Sequence, residues 1–241
     1  MRIDRISAFE RCRFDFAEIE SGSPPLAAGR PTMQKPSCAT AGRTYGVHVG
    51  SQHSNERTPI STPALVARRA RAASAPAGMR CRVIAIDGPG GAGKSTLAAQ
   101  VAQALDAQVI CTDDFASWEQ PLEWWPRLTE QVLRPLSRNQ AGRYQRSDWD
   151  TRRPGDWYDV PVAAFLVLEG VSASRAAFAA YLALRVWVST PRHVRLRRGL
   201  ERDGQDALGL WQEWMAREDD YIASEHPEER ADLVVSGLSD I

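Results

Sequence analysis

A chain of 241 residues with 30 Lys/Arg and 30 Asp/Glu has room for one domain of ordinary size plus an appendage, at a formal net charge of zero. The charge is uneven, +5 over residues 1–78 and −5 over residues 79–241, so the larger part offers no basic field for nucleic acid. No apolar run approaches the ~20 residues that span a bilayer. Cys12, Cys38, Cys81 and Cys111 show no C-x-x-C spacing and no histidine partners, which argues against a metal cage or a disulfide framework and suits a reducing cytoplasm.

Residues 21–78 are rich in Ser, Pro, Ala, Gly, Thr and Arg, and poor in large apolar side chains. Such a stretch buries too little surface to offset chain entropy. All eight tryptophans follow residue 78, and no apolar segment after Met1 reads as a secretory signal. Residues 1–78 therefore read as a disordered extension or a mis-assigned start, with Met79 opening a domain that runs over residues 79–241.

Within that domain the elements alternate. A β-branched strand is expected over residues 82–87, followed by the glycine-rich Gly88-Pro89-Gly90-Gly91-Ala92-Gly93-Lys94-Ser95-Thr96 and an Ala/Leu-rich helix over 94–105. Gln108–Thr112 is a second strand ending in Asp113-Asp114-Phe115. Residues 119–137 repeat apolar side chains at helical spacing, with Pro135 ending or kinking the helix near Arg134. Residues 142–160 look irregular or hairpin-like, with a turn at Pro154-Gly155. Ala164–Leu168 is a buried strand running into Glu169-Gly170, and Leu184–Val188 is another. An Arg-rich helix spans about 192–202, a further helix about 206–223, and Leu233-Val234-Val235 forms a last strand. Strands alternating with helices predict an α/β fold, a parallel sheet with helices on both faces, and ligands at the carboxyl ends of the strands.

Gly88 to Ser95 fits G-x-x-x-x-G-K-[ST] in the strand–loop–helix setting that the motif requires. Glycines let backbone N–H groups face phosphate oxygens, and the helix that follows turns its positive end to the same anion. Lys94, the single lysine after residue 78, is placed to reach the β- and γ-phosphates of ATP. Ser95 is placed to hold Mg²⁺. Asp113 and Glu169, acids at neighbouring strand ends, suit two tasks: positioning Mg²⁺ and accepting a proton from an attacking hydroxyl. The plainer role for Asp113 and Asp114 is helix capping or turn formation. Arg195, Arg198 and Arg202 share one helix face and could close over transferring phosphate, or else form a solvated face with Glu201 and Asp203.

These residues resemble the uridine kinase branch of the P-loop nucleoside and nucleotide kinases. The likeness runs over residues 82–237: the phosphate loop, Asp113-Asp114-Phe115 against an Asp-x-Phe-Tyr motif, Glu169-Gly170, Arg195-Leu196 through Arg202-Asp203 against an arginine-rich lid, and Ala231-Asp232 before the last strand. The resemblance implies a P-loop kinase fold with an Arg-rich lid, ATP and Mg²⁺ as cofactors, and Asp113 as base. It also implies Arg198 and Arg202 as lid arginines. The acceptor it implies is a nucleoside 5′-hydroxyl, uridine or cytidine, contacted by a hairpin here represented by Tyr144, Arg146, Asp148 and Trp149, with Asp114 nearby. Ala116 stands where the motif has tyrosine, Gly199 replaces the second lid arginine, and the continuation after Asp203 is missing. Trp118, Trp124, Trp125, Trp149 and Trp157 are candidates to stack on a base, or to serve as core. A nucleoside monophosphate kinase, using Arg143, Arg146, Arg152 and Arg153 for an acceptor phosphate, stays open, as does a non-catalytic ATP-binding switch. No nucleic-acid or membrane partner is expected, and the setting is cytoplasmic.

Overall fold

The computed structural model describes residues 61–117, 122–148, 151 and 153–238. Five parallel strands form one sheet in the order β2-β5-β1-β6-β7: β1 Arg82–Asp87, β2 Gln108–Cys111, β5 Phe165–Glu169, β6 Leu182–Ser189 and β7 Leu233–Ser236. β1 lies between β5 and β6, with Ile86 opposite both Glu169 and Val186. That central place puts the segment leaving β1 between the ends of its neighbours.

Strand alternation divides the core into two faces. Val83, Ala85, Leu166 and Leu168 pack with Ile110, Phe115, Trp124, Leu128, Leu136 and Phe178. Ile84, Ile86, Val167, Val186 and Val188 pack instead against Leu97, Val101 and Leu105 of α2, Lys94–Leu105. α5 (Arg192–Asp203) and α6 (Leu208–Glu225) meet over a smaller cluster of Ala207, Trp211 and Met215. Among the described residues no helix is long and apolar enough to cross a membrane.

Three expectations need correction. The first concerns residues 61–78. They are not all outside the domain, because α1, Thr62–Ala72, is a helix whose Val66, Ala67 and Ala70 belong to the α2 side of the core. Its three apolar positions fall on one face, and Arg71 donates to the Ala104 carbonyl at the end of α2. Arg82 at the start of β1 in turn donates to the Ala73 carbonyl at 2.7 Å. The composition was dominated by neighbouring Ser, Pro and Arg, which hid a short amphipathic turn pattern. The rest of the extension, residues 1–60, lies outside the described residues.

The second concerns Pro135. The helix neither stops nor breaks at Arg134: α3 (Trp125–Leu128) leads into a π-helical stretch (Thr129–Leu133) and then α4 (Arg134–Ser137). Arg134 N–H bonds the Thr129 carbonyl, five residues back. The widened turn sits directly before Pro135, which has no N–H to give to the regular ladder. The third concerns Pro154-Gly155. Both residues lie inside β4 (Arg153–Val160), paired antiparallel with β3 (Gly142–Asp148), so the hairpin turn comes earlier. A register shift between Gln145 and Ser147 lets Pro154 sit in the ladder.

Removing α1 takes away Val66, Ala67 and Ala70 and uncovers the apolar face of α2 that they cover, a loss on the order of 2–4 kcal/mol from apolar area alone. A chain shortened to begin at Met79 is therefore expected to melt roughly 5–15 °C below one that retains residues 58–78. Equal melting temperatures by circular dichroism would show that α1 adds nothing to the core.

Candidate active site

The site begins at Asp87, the last residue of β1, whose side chain is fully buried. Its Oδ1 accepts the N–H groups of Gly88 (2.7 Å) and Ser172 (2.9 Å). Its Oδ2 accepts the Ser174 N–H (2.9 Å), the Ser174 hydroxyl (2.7 Å) and the Tyr221 hydroxyl (2.7 Å). One carboxylate thus ties the entry of the phosphate loop to the segment after β5 and to α6. Burial, with Asp87's charge beside it, pushes the Tyr221 phenol well above its ordinary value.

From Gly88 the loop folds tightly. Gly91 has φ +74, and a Cβ there would stand 2.7 Å from the Arg195 carbonyl, so the position needs glycine on both counts. The buried Ala92 accepts a hydrogen bond from the Thr190 hydroxyl (3.0 Å), and Gly93 precedes α2 with φ 99. Lys94, only 7% exposed, donates to the Pro89 carbonyl at 3.0 Å across the loop. Thr96, in the first turn of α2, is exposed.

Asp113, Ser95 and Glu169 meet at the ends of β2, α2 and β5. The Ser95 hydroxyl donates to Glu169 Oε1 at 3.3 Å, and Glu169 is 3% exposed. Burial raises the Asp113 carboxyl to about 7, the Glu169 charge adds to the rise, and the Lys94 and Arg202 charges oppose it. Lys94 and Arg202 therefore act on the same carboxyl that the second strand presents. Gly170 keeps this corner open to Thr112: at φ +137 its Cβ would collide with the Thr112 side chain. Among the described residues no three His, Cys, Asp or Glu side chains form a metal cage. The donor set of one hydroxyl and two carboxylates still fits Mg²⁺, which keeps most of its waters and takes phosphate oxygens as ligands. The loop's chemistry fits a polyphosphate by the same reasoning, with the Lys94 ammonium beside a glycine-rich backbone that opens a helix.

The two adjacent acids divide. Asp114 turns away from the loop: it accepts the Tyr144 hydroxyl at 2.7 Å and pairs with Arg146 Nε at 2.7 Å. Tyr144 is 3% exposed and stacks between Phe115 (4.7 Å) and Tyr158 (5.6 Å). The structure therefore packs Tyr144 in the core and ties Asp114 to β3. Arg146 lies between that anchor and the Tyr158 ring, and Asp148 accepts the Thr151 N–H at the hairpin's end. Trp124 is core at 1% exposure, whereas Trp157 is half exposed beneath the Arg143 guanidinium. Trp118, Trp149 and Arg152 lie outside the described residues.

The lid arginines also divide. Arg198 donates to the carbonyls of Gly91 (3.3 Å) and Gly237 (3.0 Å), so it braces the loop. Arg202 grips Asp203 with two nitrogens (2.8 and 2.9 Å) over the Trp211 ring. Trp211 also explains Gly199. A Cβ at that position would stand 2.3 Å from the indole, so the ring occupies the place a second lid arginine would need.

Sequence reasoning missed Asp87, Ser174, Tyr221 and Glu218. Glu218 had a readable signal. It is an acid within the buried stripe Trp211, Met215, Glu218, Tyr221 of α6, at spacings of four, three and three residues. Apart from Gly88, the partners of Asp87 lie 85–134 residues away and left no local pattern.

No family profile matches this chain, and no curated protein does. Solved structures do. One is described as a possible uridine kinase from Bacillus stearothermophilus, 22% identical, with a TM-score of 0.54 over 71% of this chain and 96% of that one. Another, provisionally named a fructose transport system kinase, comes from Silicibacter sp. TM1040. It is 21% identical, with a TM-score of 0.56 over 73% of this chain and 99% of that one. At these identities the likeness establishes the fold, which is that of the P-loop kinases.

Asp87→Asn replaces an acceptor oxygen by an NH₂ group facing buried donors. The expected cost is roughly 2–4 kcal/mol, because at least one donor loses its partner and the amide meets another. Urea unfolding checks this, and a midpoint equal to that of the unaltered chain would mean that the five bonds add nothing.

Proposed function

We propose that this chain is an ATP-dependent kinase that phosphorylates a hydroxyl of a small, uncharged acceptor, the 5′-hydroxyl of a pyrimidine nucleoside. The observation that carries the reading is the convergence of Lys94, Ser95, Asp113 and Glu169 at the carboxyl ends of β1, β2 and β5. ATP with Mg²⁺, when bound, supplies the activated phosphoryl group and much of the counter-charge. Lys94 offers a compact ammonium beside the loop's N–H groups. Ser95 and Glu169 present oxygen donors to the metal. Asp113, lying in the field of both Lys94 and Glu169, takes the proton of the acceptor hydroxyl. Arg202, whose charge reaches Asp113, stands on the lid helix that shields the site from water.

Two observations support an uncharged acceptor. Arg146 is engaged by Asp114 and Arg143 by Asp159. Arg127 donates to the Phe115 and Gln145 carbonyls and to the Ser147 hydroxyl. Arg146, one of the four arginines expected to hold an acceptor phosphate, thus already has an acidic partner within the protein, which weighs against the cytidylate-like monophosphate kinase. Both neighbours in structure carry kinase names, one of them uridine kinase. A switch module without transfer activity has no use for a base and a metal carboxylate together, and this chain has Asp113 as well as Glu169. The reading calls for no nucleic-acid or membrane partner and for a cytoplasmic setting.

The test is ADP release from Mg²⁺·ATP with nucleosides, nucleoside monophosphates and small sugars as acceptors. Stimulation by uridine or cytidine is expected; stimulation by CMP or UMP alone would transfer the assignment to the monophosphate reading. With the acceptor found, Asp113→Asn is expected to lower kcat by roughly 10²–10⁴ while ADP affinity changes far less. Equal losses in both would make Asp113 a metal or structural residue. Lys94→Ala is expected to abolish turnover, and a fully active variant would remove the site assignment.

A further inference from the structure

The crest of the phosphate loop, Gly90-Gly91, has no side chain with which to hold its own shape. Glycine loses more conformational freedom on ordering than any other residue, so a single conformation here must be imposed by neighbours. The neighbours that impose it are ionic and come from the lid helices. Glu218 Oε1 on α6 accepts the Gly90 N–H at 2.7 Å. Glu218 Oε2 lies 3.1 Å from Arg195 Nη1 on α5. Arg195 Nε donates to the Thr190 carbonyl at 3.1 Å, and the Arg195 backbone packs directly against Gly91. Trp211 and Trp214 close the space around Gly90, each with an atom 3.2 Å from where a Cβ would be.

Glu218 is 1% exposed. Burial pushes its carboxyl upward, while the Lys94 charge, the Gly90 N–H and the Arg195 charge pull it back. A buried ion pair of this kind is weak support for stability, because well-packed apolar residues often serve as well or better. Stability alone therefore gives no reason for an acid in the middle of the apolar stripe of α6. Its bond to Gly90 gives one, since no apolar side chain could accept that N–H.

We propose that Glu218 is a positioning residue for the nucleotide, holding Gly90-Gly91 in phosphate-accepting shape by taking the Gly90 N–H, while its second oxygen pairs with Arg195. The proposal rests on the reading of the loop as an ATP site. It makes the shape of the loop and the seating of α5 and α6 one equilibrium, because the same carboxylate serves both. Glu218 bonds the loop backbone, so the proposal places its effect on nucleotide affinity before chemistry.

The test measures Mg²⁺·ADP affinity by calorimetry and the melting temperature, both on the full chain and neither dependent on knowing the acceptor. Glu218→Gln removes the charge but keeps an oxygen that can accept the Gly90 N–H. Glu218→Met removes both, and Glu218→Met with Arg195→Met also removes the orphaned cation. The double variant is expected to melt close to the unaltered chain yet bind ADP at least about tenfold more weakly, in line with the ordering cost of a glycine pair. Glu218→Gln is expected to melt lower but to bind ADP within about threefold of the unaltered chain. That crossing of affinity and stability is what a merely structural glutamate would not produce. A double variant with unchanged ADP affinity overturns the proposal, as does a glutamine variant that binds as poorly as the methionine one. Should neither methionine variant fold, the glutamine variant decides: retained affinity supports the proposal and a tenfold loss overturns it. An unaltered chain that binds neither ADP nor ATP overturns the nucleotide reading and this inference together.

Discussion

A fully buried carboxylate ties the segments of the site together. Asp87 accepts five hydrogen bonds from the loop after β1, the loop after β5 and helix α6. In a low-dielectric interior an unpaired carboxylate is strongly unfavourable, so the three segments can only be arranged so as to satisfy it. Because β1 lies at the centre of the sheet, that arrangement also fixes where the phosphate loop leaves the sheet. Glu169 and Asp113 reach the same place because β5 and β2 follow in register, Cys111 lying opposite Glu169.

Beyond Asp87 the loop is gripped from several sides by groups that are distant in sequence. Thr190 holds Ala92, Arg198 holds the Gly91 carbonyl, and Glu218 holds the Gly90 N–H. Residues of α5, α6 and the end of β6 therefore brace the loop. The same economy of space appears at Gly199, where Trp211 fills the volume of an arginine side chain and at the same time donates to Asp203, the partner of Arg202. At Gly199 the packing of one large ring thus leaves no room for a side chain.

The β3–β4 hairpin is joined to the rest by Asp114, with Tyr144 and Arg146 as its ties. The aromatic stack Phe115–Tyr144–Tyr158 continues the core into the hairpin and ends near the exposed Trp157. An adjacent pair of acids thus serves two different tasks because a short 3-10 turn, Thr112–Asp114, points successive side chains in different directions.

The sequence alone determined the parallel α/β architecture, the phosphate loop and the acids at two strand ends. Those features rest on local periodicity and on a motif whose spacing is itself the chemistry. Local pattern also determined, wrongly, that nothing before Met79 belonged to the core, since three small apolar residues on α1 are too weak a signal until α2 supplies the surface they cover. Tertiary structure decided which of Asp113 and Asp114 faces the loop, that Tyr144 is core, and that Arg198 braces rather than reaches. It also decided that Asp87 and Glu218 accept N–H groups of the loop. The physical reason is common to all four: each depends on which donor or charge lies opposite a side chain, and those partners come from strands and helices far along the chain, brought together only when the sheet is complete.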